Sequence, residues 1–123
     1  MLITLLLSCV SETVISYSTE PCQNWDLDSE DPPLVEAVEW GEGLEVTRNG
    51  IYRGCDASFS PDIEPDGKVF RVYEAWEDDS EDCDACWMAQ IQVAPLRRGT
   101  YEIQWFTEDS DTVPSDDVTV DVP

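Results

Sequence analysis

The chain has 123 residues, 41% of them apolar, with six Lys and Arg against 28 Asp and Glu, no histidine and a formal net charge of −22. That length supports one domain with a modest core. The charge repels phosphate backbones and argues against nucleic-acid binding and against docking on anionic lipid headgroups. The missing histidine excludes the usual Ser–His and Cys–His catalytic arrangements.

The first element is the apolar run Leu2-Ile-Thr-Leu-Leu-Leu7, closed by Ser8 and Cys9. It is far too short to span a bilayer, which takes about 20 apolar residues. A strand would alternate, and this run does not. Leu6-Leu7-Ser8-Cys9 resembles the lipobox of bacterial lipoprotein signal peptides. The resemblance implies cleavage before Cys9, a lipid on Cys9, and a protein held outside the cytoplasm, periplasm-facing or at the cell surface. A cleaved secretory signal and a plain apolar terminus are the alternatives. The cysteine count agrees with a lipid. Cys9, Cys22, Cys55, Cys83 and Cys86 are an odd number, awkward in a secreted protein, and lipidating Cys9 leaves four for two disulfides.

Residues 1–8 are therefore expected to be signal, 9–33 an acidic tether, and 34–123 the folded domain. In the tether, the run Asp26-Leu-Asp-Ser-Glu-Asp31 before Pro32-Pro33 resists helix and packed strand alike. From Leu34 onward the pattern is β. Leu34 to Trp40 precedes Gly41-Glu42-Gly43, and Leu44-Glu-Val-Thr-Arg48 alternates up to the turn dipeptide Asn49-Gly50. Tyr52 to Phe59 follows, then turn chemistry at Ser60-Pro61 and Pro65-Asp66-Gly67. Lys68 to Trp76, Trp87 to Val93, Thr100 to Phe106 and Val118 to Val122 complete about seven strands. No segment shows a 3.6-residue apolar period, so little or no helix is expected.

The run Pro95-Leu96-Arg-Arg-Gly99-Thr-Tyr101-Glu-Ile103-Gln-Trp105 is similar to a Leu-x-x-Gly-x-Tyr-x-Val motif of immunoglobulin-like and fibronectin-like domains. The resemblance implies an all-β, immunoglobulin-like β-sandwich in which Tyr101 forms a tyrosine corner. Ile103 stands where that family's inter-sheet cysteine would be, so the antibody-type disulfide is absent.

Five features carry candidate chemistry. Cys83-Asp-Ala-Cys86 has redox or half-zinc spacing, but no βαβ pattern and no second close pair accompany it, so structural disulfides are expected. The expected pairing is Cys55–Cys86 and Cys22–Cys83. Asp62 to Gly67 matches the start of an EF-hand loop, yet Tyr73 occupies the twelfth position, and a β-turn is favoured. The densest acidic run, with Asp78, Asp79, Glu81 and Asp82, is the candidate calcium site, against the alternative of a solvated loop. Trp25 and Trp76 are candidate contacts for a protein or carbohydrate partner, against core or rim packing. Acid pairs could serve a small hydrolase, but they are too abundant here to mark a site.

The expected function is a membrane-tethered, non-catalytic binding or structural module. A calcium-dependent binding domain and a carboxylate hydrolase are the alternatives. Low lysine with excess acid also matches adaptation to salt, where screening tames self-repulsion.

Overall fold

The computed structural model of the protein describes residues 12–22, 35–77, 83–108 and 112–123. Ten strands are present and, among the described residues, no helix. They are β1 (Val14–Pro21), β2 (Val35–Trp40), β3 (Gly43–Gly54), β4 (Ser58–Phe59), β5 (Asp62–Asp66), β6 (Val69–Tyr73), β7 (Trp76–Glu77), β8 (Asp84–Ala94), β9 (Gly99–Phe106) and β10 (Asp116–Val122). Two four-stranded sheets, in the orders β1-β8-β3-β2 and β10-β9-β6-β5, form an all-β sandwich, with β4 and β7 as a small third sheet. All pairings are antiparallel except β6 with β9, which is parallel. An immunoglobulin sandwich is built from antiparallel sheets, so this pairing sets the present order apart from it.

Alternation decides the inner faces. Leu44 and Val46 of β3, Ala89, Ile91 and Val93 of β8, and Tyr101, Ile103 and Trp105 of β9 are buried between the sheets. Each fully buried aliphatic side chain contributes about 1.5–3 kcal/mol. Two hairpins turn on a glycine at the first of two loop residues, Gly41 (φ +55°) between β2 and β3 and Gly67 (φ +61°) between β5 and β6. The second confirms the turn at Pro65-Asp66-Gly67, although Asp62–Asp66 is itself a strand and not loop.

Four expectations need correction. Asn49-Gly50 is not a turn: β3 runs straight through it as a β-bulge, with the register against β8 shifting between Arg48 and Ile51 and Gly50 at φ +79°. β8 continues opposite both halves of β3, so the chain has no cause to fold back. Residues 14–21, expected in the tether, form β1 and pair with β8 along their whole length. Lys68 to Trp76 is two strands, interrupted at Glu74 and Ala75.

The disulfides are Cys22–Cys86 and Cys55–Cys83, with Cα–Cα distances of 5.4 and 5.5 Å, not the expected pairs. Register explains the exchange. Tyr52 lies opposite Cys86, which leaves Cys55 three residues farther along, about 10 Å away. Gly54 lies opposite Asp84, so Cys55 meets Cys83; Pro21 lies opposite Trp87, so Cys22 meets Cys86. Each bond thus staples the central strand β8 to one neighbour.

Tyr101 Oη donates to the Arg97 carbonyl at 2.7 Å, the bond of a tyrosine corner. It fixes the β8–β9 connection against the start of β9. Tyr101→Phe is expected to cost about 1 kcal/mol in urea unfolding, the net worth of one hydrogen bond.

Candidate functional site

One end of the sandwich carries a pocket of about 330 Å³. Thr13 and Ile15 enter it from β1, Pro65, Gly67 and Phe70 from the β5–β6 hairpin, and Leu96, Arg97 and Tyr101 from the β8–β9 connection. Thr13 Oγ1 donates to the Pro95 carbonyl at 2.8 Å, and the Leu96 N–H donates to the Glu42 carbonyl, which ties these segments together. The Phe70 and Tyr101 rings stack with centroids 5.9 Å apart to make an apolar floor. Arg97 is the charged side chain of the lining, and no carboxylate is among the lining residues.

Charge is unevenly committed. Arg48 and Arg53 pair with Glu74, Arg53 also with Glu108, and Arg71 with Asp66. The remaining basic residues, Lys68, Arg97 and Arg98, are exposed and make no ion pair among the described residues. All three lie on the two loops around the pocket.

Toward the other end lies a buried polar cluster that the sequence reading missed. Glu74, between β6 and β7, has a side chain only 2% exposed and bonds Arg48 Nη1 of β3. Trp105 Nε1 of β9 donates to the same Oε1 at 3.3 Å. The Glu74 N–H donates to the Phe106 carbonyl, so the carboxylate is held where the two sheets meet. A signal was present: Leu44, Val46 and Arg48 share one face, and an arginine on a core face needs a buried carboxylate.

Asp116 borders this cluster. Desolvation holds its carboxyl above the ordinary value of 3.8, and the charge of Arg48 opposes the shift. A raised carboxyl binds its proton more readily folded than unfolded, so stability falls as pH rises from 3.8 through the raised value. Asp116→Asn is expected to remove part of that slope and to stabilise the protein at neutral pH, read from urea unfolding across the acidic range.

The sequence-derived candidates divide. Cys9, Trp25 and the acidic set Asp78, Asp79, Glu81 and Asp82 lie outside the described residues. Among the described residues no group of three or more His, Cys, Asp or Glu is arranged to hold a metal ion. The Cys-x-x-Cys pair is divided between two disulfides and is not a dithiol. Trp76 is half-buried against Phe59, with ring centroids 5.1 Å apart, in an aromatic group with Tyr17 and Trp105. Its position is that of rim packing, and its buried Nε1 has no partner among the described residues.

One carboxylate pair does converge. Asp117 is pushed above the usual carboxylate range by desolvation, then by the hydrogen bond and the charge of Glu102. The pair stands on the outer face of the β9–β10 ladder, on a flat surface outside the pocket. No protein-family model, no curated protein and no solved structure matches the chain.

Proposed function

We propose that the protein is an extracytoplasmic lipoprotein, anchored by a lipid on Cys9, whose β-sandwich is a non-catalytic binding or structural module. One observation carries this reading. Five cysteines are present, and the two disulfides use four of them. Cys9 is the one left over, and it closes the apolar run at Leu6-Leu7-Ser8-Cys9. Two disulfides in so small a domain also suit an oxidising compartment. Among the described residues no helix is long and apolar enough to cross a membrane, so the lipid would be what holds this domain there.

The test is expression in a bacterial host fed labelled palmitate. The expected result is label on the protein in the membrane fraction, with both label and membrane association lost in Cys9→Ala. An unlabelled protein recovered from the soluble fraction would sink the anchor.

A further inference from the structure

We infer that the pocket-bearing end of the sandwich is a membrane-facing surface that rests on the anionic headgroups of the membrane holding the anchor. The inference rests on the lipid anchor proposed above and adds an orientation and a lipid class. Net charge alone argues against it. Charges on a folded surface are screened within about 8 Å at physiological salt, however, so a headgroup meets the local face and not the whole molecule.

Three independent features share this end. The first is cationic: Lys68, Arg97 and Arg98 are exposed and without ion-pair partners among the described residues. The acids near them are Glu12, Glu42, Asp66 and Asp121. Asp66 is already paired with Arg71, and Asp121 accepts from Thr100 Oγ1. At the opposite end, Glu77, Asp84, Glu108 and Asp116 face only Arg48 and Arg53, which converge on Glu74.

The second feature is apolar. Trp40 at the β2–β3 hairpin is 43% exposed and Val14 at the start of β1 is 64% exposed, both beside the open pocket end. Exposed tryptophan with nearby lysine and arginine is the composition of a membrane–water interface. The third is geometric. Thr13 lines the pocket, and four residues separate it from Cys9, a reach of at most about 14 Å. An anchor at Cys9 therefore keeps this end at the headgroups, with the acidic end turned away.

Lys68 is the sole lysine, so it reports its own surroundings. The lipidated chain is reconstituted into vesicles of phosphatidylcholine, or of phosphatidylcholine with phosphatidylglycerol. Flotation shows whether it is bound, and an impermeant amine reagent measures Lys68 reactivity by peptide mass. The expected result is flotation with both vesicles and several-fold slower labelling on the anionic ones. High salt, or Arg97→Glu with Arg98→Glu, should restore the faster rate. Flotation with equal labelling on both membranes overturns the headgroup-facing surface and leaves the anchor standing. Failure to float overturns the anchor, and this inference with it.

Discussion

Glu74→Ala is expected to destabilise the protein by about 3–5 kcal/mol, the cost of stripping one partner from a buried ion pair. Arg48 would stay 12% exposed with no carboxylate, and Trp105 Nε1 would lose its acceptor. The loss falls where the sheets join, because Arg48 belongs to β3 and Trp105 to β9. A domain of this size is typically stable by about 5–15 kcal/mol, so the variant should sit near the edge of folding. Glu74→Gln keeps the volume and an acceptor and should lose less. The double variant Arg48→Met with Glu74→Leu should recover most of the stability, since a well-packed apolar pair often matches a buried ionic one. Urea unfolding of the three variants separates these outcomes. If the double variant were as weak as Glu74→Ala, the cluster would matter for more than its unpaired charge.

The second large effect concerns the disulfides. Cys22–Cys86 spans a sequence separation of 64 and Cys55–Cys83 one of 28. Loop-closure entropy then gives about 4.3 kcal/mol for the first and about 3.6 kcal/mol for the second. The structural consequences differ more than the energies. β1 is an edge strand whose side chains are mostly exposed, so its ladder with β8 and the Cys22–Cys86 bond are its main restraints. In Cys22→Ser with Cys86→Ser, the amides of Val14–Pro21 should exchange at nearly unprotected rates while those of β3 and β9 stay slow. In Cys55→Ser with Cys83→Ser, protection in β1 should persist. A non-reducing peptide map showing Cys55 bonded to Cys86 would overturn this assignment.

How far the sequence alone reached can be read from particular residues. Alternation located the inner faces of β8, β9 and β10, because a half-buried strand has period two. It also placed Arg48 inward, but gave no hint of Glu74, whose position depends on a break between β6 and β7. β1 went unrecognised because its only period-two signal, Ile15, Tyr17 and Thr19, lies in a polar stretch ahead of an acidic run. Asn49-Gly50 carries the local chemistry of a turn, and only the partner strand decides between a turn and a bulge. Disulfide pairing was beyond reach for the same reason: it follows from cross-strand register, which is a property of the assembled sheet. The pocket draws on three chain segments that meet only after both sheets have formed. The charge was legible as a sum and misleading as a guide to surfaces, since it hides three uncommitted cations at one end.

The most direct measurement is the intact mass of the protein isolated from the membrane fraction of a bacterial expression host. The expected species begins at Cys9, carries a diacylglyceryl addition on that residue and retains two disulfides among the other four cysteines. A species that keeps residues 1–8, or that begins at an unmodified Cys9, would contradict the lipid anchor and the orientation inferred from it.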